Sequence, residues 1–209
     1  HVALAKQADL VMVAPASANV IGKIAYGIAD DMLTTTVMAC PCKKMISPAM
    51  NHNMYHNPIV QDNIQKLERF GYEMIAPDRG MLANGDDGDG RMPEPEVLFE
   101  YILRELAFEK DLAGKKVLVT AGATMEAIDP VRYITNHSSG KMGCALAKAA
   151  MQRGAKVTLV AGHMEVLPPM FVDVVNVKSA ADMFEAVTKL APEQDIICLL
   201  YTSPSPRDA

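Results

Sequence analysis

The chain has 209 residues, which corresponds to roughly one to one and a half domains of ordinary size. Half of the residues are hydrophobic, but only 5% are aromatic and Trp is absent, so the core must be aliphatic and a disordered chain is excluded. A net charge of −5, without any run of Lys and Arg, argues against a nucleic-acid or anionic-membrane surface. No apolar run approaches the ~20 residues that a membrane-spanning helix needs.

The first part of the chain alternates between strands and helices. A continuous apolar strand ends at Pro15, and Ser17 is placed to cap the helix that follows it. The buried stripe predicted for this helix consists of Val20, Ile21, Ile24, Ala25 and Ile28. The further predicted elements are strands at 44–48 and 72–77, a helix at 58–70, a loop rich in Gly and Asp at 80–91, and a helix at 94–108.

A polar linker at 109–115 separates this part from a second one. The elements predicted there are strands at 117–122, 156–161 and 172–177, a helix at 139–153, and a helix capped by Ser179 with Asp182 three residues later. The strand–helix–strand pattern repeats in both halves. It predicts two α/β domains with parallel sheets, at 1–108 and at 116–197.

Neither end of the sequence has the character of a natural terminus. The first residue is His1, and a buried strand begins within a few residues of it. At the other end, a strand predicted at 195–200 passes directly into a segment rich in Pro and Ser, which cannot continue a ladder. We therefore expect a missing start and a non-native tail at 198–209, and the tail is excluded from functional reasoning.

The four cysteines have neither disulfide nor metal-binding spacing. They lie at 40, 42, 144 and 198, without a pair of C-x-x-C knuckles. The single residue between Cys40 and Cys42 is a poor spacer for chelation, so a buried or strand-edge position is favoured for this pair. The predicted compartment is a reducing cytoplasm.

Polar residues follow two of the predicted strands. Pro15-Ala-Ser-Ala-Asn19 comes directly after the first strand, and Ser47-Pro-Ala-Met-Asn-His-Asn-Met54 directly after the second. Ligands of open α/β sheets bind at the carboxyl ends of the strands, and a helix N-terminus favours an anion. Two such strand ends are expected to converge, although Ser and Asn at a helix start are more often simple caps.

Four ordered motifs resemble the flavin-dependent phosphopantothenoylcysteine decarboxylases: His1, the segments 15–19 and 48–54, and Gly88-Asp-Gly-Arg-Met92. The resemblance implies a homo-oligomeric, flavodoxin-like domain that binds FMN and decarboxylates a cysteinyl amide on the route to coenzyme A. In that family the flavin oxidises the substrate thiol to a thioaldehyde, carbon dioxide is lost, and the resulting enethiolate is reduced again.

The same resemblance implies roles for individual residues. His1 matches the active-site histidine beside the flavin, Asn51 the asparagine that holds the substrate carboxylate, and Met54 a residue of the substrate pocket. The residues matching the flavin-contacting loop are Pro15, Ala16, Ser17, Ala18 and Asn19. The family's opening glycine-rich loop, which completes the phosphate site, is missing.

One position departs from the family's pattern. The flap of these enzymes usually carries Leu-Ala-Cys-Gly-Asp, in which the Cys donates a proton to the enethiolate. This chain has Leu82-Ala-Asn-Gly-Asp86 instead, and Asn84 cannot donate a proton as an acid. Either another group supplies the proton or the reductive half-reaction is impaired.

No metal site is predicted from the residues of the first part of the chain. In the run 85–90 the first ligand of a calcium loop would be Ala83 or Gly85, and neither carries a carboxylate. His52 and His56 are four residues apart, as in a zinc helix, but no Glu follows the first His and Asn57-Pro58 interrupts the region. A structural or supporting role is favoured for the two histidines.

A second group of candidate residues lies between 120 and 143. Hydroxyls, glycines and Lys141 at a helix start are typical of a phosphate-binding loop. The segment is not a Walker A loop, because Thr135 stands where the first Gly belongs. A dinucleotide-binding module is disfavoured, since the following strand ends without the acidic residue that would bind the ribose.

The stretch 128–143 resembles the phosphopantothenate–cysteine ligase half that bacteria fuse to the decarboxylase. The resemblance implies a truncated Rossmann-like α/β domain that activates phosphopantothenate with CTP, with Mg²⁺ as the expected metal. Asn136 matches the asparagine associated with the acyl-cytidylate intermediate. The residues matching the surrounding loop are Gly122, Ser138, Ser139, Gly140 and Lys141.

As the plainer alternative to these ligase roles, Ser139 is only a helix cap and Lys141 is a solvated residue. The family's later CTP-binding segments do not follow Ile197, so ligase activity is not expected of this chain alone.

The sequence therefore predicts an FMN-dependent decarboxylase of coenzyme A biosynthesis joined to part of a ligase. Its expected partners are small-molecule substrates and further copies of the chain, without nucleic acid or membrane. The alternative, motivated by Asn84, is a decarboxylase half that is inactive and only supports an active ligase.

Overall fold

The computed structural model describes residues 1–81 and 87–200, with only the backbone at 81 and 87. The chain divides into two compact units, His1–Phe99 and Glu100–Ala209. Each unit contains a parallel sheet packed against helices. The predicted α/β class with two parallel sheets is thus confirmed. Within the described part of the chain, no helix has both the length and the apolar character needed to cross a bilayer.

The first unit has a three-stranded parallel sheet and a separate hairpin. Its helices are α1 (Val2–Gln7), α2 (Ala18–Ala25), α3 (Met32–Ala39), α4 (His52–Tyr55), α5 (Pro58–Arg69) and α6 (Pro95–Leu106), the last of which continues into the second unit. Its strands are β1 (Leu10–Ala16), β2 (Lys43–Pro48), β3 (Glu73–Met74), β4 (Asp78–Met81) and β5 (Asp87–Arg91). The sheet order is β1-β2-β3, and β4 pairs antiparallel with β5.

The core of this unit lies between the sheet and α2 and α5. Val13 and Ile46 of the sheet are buried with Ile21 of α2 and Leu67 of α5. Asn57 caps α5 by accepting the Ile59 N–H at 2.9 Å, and the helix begins at Pro58, as its sequence predicted. Aliphatic side chains of the two helices and the parallel strands therefore form this core.

The second unit has a four-stranded parallel sheet in the order β10-β9-β6-β11. Its elements are β6 (Lys116–Ala121), β7 (Met125–Ala127), β8 (Tyr133–Thr135), α7 (Lys141–Gln152), β9 (Lys156–Ala161), β10 (Asp173–Asn176), α8 (Ala180–Leu190), a 3-10 turn (Ala191–Glu193) and β11 (Ile196–Cys198). Val119 and Leu159 are buried in the sheet against Ala147 and Met151 of α7. Ser179 and Asp182 form the predicted capping box of α8.

Several predictions for the first unit are wrong in detail. The predicted loop at 80–91 contains parts of the β4–β5 hairpin, which its composition conceals because Gly and Asp are rare in strands. Helix α2 ends at Ala25, so Ile28 lies beyond it and is exposed instead of buried. The strand predicted at 72–77 is reduced to Glu73–Met74.

The second unit also departs from its predicted boundaries. Helix α7 begins at Lys141, so the predicted start at 139 is wrong: Gly140 is the N-cap residue, and the Ser139 hydroxyl accepts the Lys141 N–H at 3.5 Å. The region between 122 and 139, for which the sequence predicted no strand, contains the antiparallel β7–β8 hairpin. In the predicted tail, Cys198 ends β11 and pairs with Val119 of β6. Residues 201–209 lie outside the described residues.

Candidate functional site

The polar segments that follow β1 and β2 lie side by side. Ala16 pairs with Pro48 in the parallel register, and the Ala49 N–H donates to the Ala16 carbonyl at 2.9 Å. The Ser17 hydroxyl accepts the Val20 N–H at 3.4 Å and caps α2, as predicted. Ala18 is half-buried, whereas Pro15, Ser17 and Asn19 are exposed. One edge of the sheet therefore presents both segments.

A buried hydroxyl lies near the end of β2. Ser47 is completely buried, and its Oγ has no hydrogen-bond partner among the described residues. A buried polar atom without a partner destabilises a fold by about 1–3 kcal/mol. A polar ligand atom at this strand end would remove that cost.

The segment after β2 is held by the last strand of the hairpin. The Met50 N–H donates to the Gly90 carbonyl at 3.0 Å. A Cβ at position 90 would lie 2.0 Å from the Met50 carbonyl oxygen, and Gly90 has a φ of +137°, so only glycine fits there. Asn51 is half-buried and caps α4 by accepting the Asn53 N–H at 2.9 Å. Met54 is exposed by 48%.

A group of titratable side chains joins α4 to β5. His56 Nε2 lies 2.9 Å from Asp89 Oδ2, and the Asp89 N–H donates to His52 Nδ1 at 3.2 Å. The two imidazole centroids are 4.4 Å apart. The contribution of Asp89 could not be found from the sequence, because it depends on a hairpin that the composition conceals.

Two predicted residues of the decarboxylase site stay untested. His1 is exposed and precedes α1, where its carbonyl accepts the Ala5 N–H at 2.9 Å and its side chain does not cap the helix. Asn84 lies outside the described residues. Its role and that of His1 stay predictions.

The cysteines have no disulfide among the described residues. Cys40 is buried, as expected, and burial raises the pKa of its thiol. Burial also raises the pKa of the Cys144 thiol on α7. Both thiols are therefore poorly suited to act as nucleophiles near neutral pH.

In the second unit, a cavity of about 630 Å³ lies beside the start of α7. The predicted ligase residues that line it are Gly122, Asn136, Ser138, Ser139, Gly140 and Lys141. The structure thus brings this whole set together. The sequence did not predict Ala180 and Met183 of α8, which also line the cavity.

Glycines shape this cavity. Gly140 has a φ of +76° and caps α7 without a side-chain hydrogen bond. A Cβ at Gly122 would lie 2.4 Å from the His163 carbonyl oxygen, and one at Gly143 would lie 2.5 Å from the Cβ of Ala121. The first N–H groups of a helix lack intrahelical acceptors, so the start of α7 offers backbone donors and a partial positive charge to an anion.

Two family models match the chain. The Flavoprotein model matches residues 1–107, and the model for the DNA/pantothenate metabolism flavoprotein C-terminal domain matches residues 112–200. A mutant PPC decarboxylase complexed with pantothenoylaminoethenethiol is a similar solved structure, with 36% identity and a TM-score of 0.48 over 49% of this chain and 57% of that one.

Curated relatives extend the similarity across both regions. The coenzyme A biosynthesis bifunctional protein CoaBC of Vibrio vulnificus is 52% identical over 197 residues, covering 94% of this chain and 49% of the relative. The protein of the same name from Bacillus subtilis is 50% identical over 200 residues, with the same coverage. This chain spans about half the length of these relatives. It belongs to the Flavoprotein family and has the predicted flavodoxin-like α/β fold in its first region.

Proposed function

We propose that the chain takes part in coenzyme A biosynthesis and carries an FMN-dependent decarboxylase site for 4'-phosphopantothenoylcysteine, with 4'-phosphopantetheine as the product. The observation that carries the proposal is the hydrogen bond between Ala49 and Ala16, which places the two motif segments at one sheet edge. Membership of the Flavoprotein family and the names of the curated relatives support it.

The residues at this edge suit a flavin. Ser17 and Asn19 offer exposed polar groups at the start of α2, and Ser47 offers a buried hydroxyl that needs a partner. When bound, FMN supplies two-electron redox chemistry for the substrate thiol. In this proposal Pro15 and Ala18 form the surface on which the cofactor rests, and the completely buried Ala16 joins this segment to the one after β2 through the Ala49 N–H.

Asn51 is placed to hold the substrate carboxylate. Its Oδ1 already accepts the Asn53 N–H, so its amide NH₂ remains available as a donor. The exposed Met54 side chain supplies an apolar wall one turn further along the same segment. In this proposal His1 handles protons beside the flavin, because an imidazole exchanges protons near neutral pH.

Flavin titration of the 209-residue chain tests the cofactor proposal directly. We expect FMN fluorescence to be quenched on binding, and an Asn19→Ala variant to bind more weakly than an Asp62→Asn control on the exposed surface of α5. Incubation of the loaded chain with phosphopantothenoylcysteine should release carbon dioxide, detected together with the thiol product by mass spectrometry. Absence of FMN binding would overturn the proposal.

Asn84 divides the proposal into two outcomes. If the chain binds FMN and releases carbon dioxide but forms no phosphopantetheine, the reductive step fails, as expected where the usual proton donor is absent. An Asn84→Cys variant should then restore the product. If the unaltered chain and the Asn84→Cys variant both bind FMN without releasing carbon dioxide, the alternative is favoured, in which this domain is inactive and only supports a ligase.

A second candidate function is nucleotide binding for a phosphopantothenate–cysteine ligase. The cavity lined by Asn136, Gly140 and Lys141 carries this proposal, together with the family model that matches 112–200. CTP with Mg²⁺ should shift the amide resonances of Gly140 and Gly143 in a nuclear magnetic resonance titration. Unchanged resonances at these two positions would contradict nucleotide binding.

The proposal also includes a cytoplasmic location and self-association of the chain. Light scattering tests the self-association.

A further inference from the structure

The His52, His56 and Asp89 cluster has properties that the decarboxylase proposal does not use. One donor atom from each residue lies within 4.8 Å of the others. Asp89 Oδ2 is 2.9 Å from His56 Nε2 and 4.0 Å from His52 Nδ1. We propose that these three side chains form a binding site for a divalent transition metal ion of the Zn²⁺ class.

The spacing of the donor atoms fits such an ion. Zn²⁺ binds imidazole nitrogen and carboxylate oxygen at about 2.0–2.2 Å, so tetrahedral ligands lie about 3.4 Å apart. The two distances from Asp89 to the histidines lie on either side of that value. The proposal requires these partly exposed side chains to rotate until all three ligand atoms lie at that spacing.

Local structure explains why the histidines lie together. The His56 N–H donates to the His52 carbonyl at 3.0 Å, so one helical turn places both rings on the same side of α4. The break at Asn57-Pro58, which argued against a zinc helix in the sequence, comes only after this turn is complete. Two imidazoles and one carboxylate are a common ligand set for zinc that leaves a fourth position open.

Strand β5 supplies the third ligand through a close approach to the helix. A Cβ at Gly88 would lie 2.9 Å from His52 Cγ and Nδ1, so glycine allows the ring to contact the strand. The side chains of the three ligands are 38 to 49% exposed, which leaves space for a water molecule in the fourth position. The Asp89 N–H, which now donates to His52, lies on a half-exposed residue and can donate to water when the metal binds.

Metal titration of the 209-residue chain tests the site. We expect one Zn²⁺ per chain by calorimetry in chelator-treated buffer, and a Co²⁺ complex whose visible spectrum indicates four or five nitrogen and oxygen ligands. His56→Gln retains an N–H donor for Asp89 but removes the imidazole ligand, so Zn²⁺ affinity should fall by at least about tenfold. Asp89→Asn and His52→Gln should have similar effects.

Two controls separate this site from the alternatives. A Cys40→Ser/Cys42→Ser variant and the exposed Asp62→Asn variant should both retain full affinity. Circular dichroism with EDTA present checks that each ligand variant is folded. If Asp89→Asn does not fold, the Zn²⁺ affinity of His56→Gln decides whether the site exists. The proposal is overturned if the chain binds no Zn²⁺, if His56→Gln retains wild-type affinity, or if Co²⁺ gives a thiolate charge-transfer band that disappears with the cysteines.

Discussion

The first helices after β1 and β6 begin in different ways. In the first unit, Ser17 follows the strand immediately and its hydroxyl caps α2. In the second, the β7–β8 hairpin separates β6 from α7, Gly140 is the N-cap residue, and the Ser139 hydroxyl before it accepts the Lys141 N–H at 3.5 Å. A ligand at the first edge therefore meets a helix that follows its strand directly, whereas a ligand at the second meets a helix that follows a hairpin and a glycine N-cap.

The glycines within the two helices give the strongest test of this difference. Gly143 lies where α7 crosses β6, and a Cβ there would be 2.8 Å from the Thr120 carbonyl oxygen. We expect Gly143→Ala to lower the free energy of unfolding by about 1–3 kcal/mol, because the helix must move away from the strand. Urea unfolding followed by circular dichroism measures the change.

Gly22 in α2 is the matched control. Its nearest neighbour to an added Cβ is Asn63 Nδ2 at 3.8 Å, an ordinary contact. Gly22→Ala should therefore stabilise the first unit by about 0.5–1 kcal/mol through helix propensity. If Gly143→Ala and Gly22→Ala changed the free energy of unfolding equally, close packing of α7 on β6 would not be a feature that separates the second unit from the first.

Hydroxyls near the strand ends provide the next comparison. Thr120 Oγ1 in β6 accepts the Leu200 N–H at 2.8 Å, whereas Ser47 Oγ in β2 has no partner among residues 1–81 and 87–200. Ser47→Ala should raise the free energy of unfolding without ligand by about 1–2 kcal/mol, because an unsatisfied buried hydroxyl is removed. Thermal unfolding with and without FMN measures the difference.

Although Ser47→Ala should stabilise the fold without ligand, the cofactor proposal predicts that the same substitution weakens FMN binding. If FMN satisfies the Ser47 hydroxyl, Ser47→Ala should weaken its binding by about fivefold, the equivalent of one hydrogen bond. Thr120→Val should destabilise the second unit and leave flavin binding unchanged. Unaltered FMN affinity in Ser47→Ala would remove Ser47 from the site.

Helix caps give a smaller effect. Ser17→Ala should destabilise the first unit by about 1 kcal/mol, because it removes the acceptor of the Val20 N–H. Ser139→Ala should destabilise the second unit by less than about 0.5 kcal/mol, because Gly140 is the N-cap residue of α7 and the Ser139 hydroxyl accepts only the Lys141 N–H at 3.5 Å. Hydrogen exchange with mass spectrometry assigns each change to its unit, and a large effect of Ser139→Ala would contradict this minor role of the Ser139 hydroxyl.

The sequence was informative wherever apolar periodicity and capping chemistry agreed. The strand at Leu10–Ala16, the helix at Pro58–Arg69 and the capping box at Ser179 all follow from local patterns. Helix α3 was not predicted, because its Met-Leu-Thr-Thr-Thr-Val-Met-Ala sequence has little amphipathic periodicity and many β-branched residues. Packing against α1 and α2 holds it instead.

The candidate sites show the same limit. The predicted residues of the second-unit cavity are close in sequence, apart from Gly122, and could be grouped from their motif, whereas Ala180 and Met183 of α8 could not. The Asp89 contact with His52 and His56 joins residues more than 30 positions apart across strands rich in Gly and Asp. Local pattern carries no information about such a contact, so only the three-dimensional structure identifies it.

Two capping aspartates give the smallest predicted effect, on the acid side of the stability curve. The Thr34 N–H holds the pKa of Asp31 below its ordinary value of 3.8, and the Ser179 N–H does the same for the pKa of Asp182. Because the unfolded chain then binds more protons, each contribution is complete above the ordinary value and is lost as the pH falls through the lowered pKa. Asp31→Asn preserves a capping side chain but removes the charge. The free energy of unfolding of the first unit should therefore depend less on pH at acid pH, and that of the second unit should be unchanged. Urea unfolding between about pH 2.5 and 6 measures this, with Asp182→Asn as the counterpart in the second unit. If the pH dependence at acid pH is the same in Asp31→Asn as in the unaltered chain, Thr34 does not stabilise the Asp31 carboxylate.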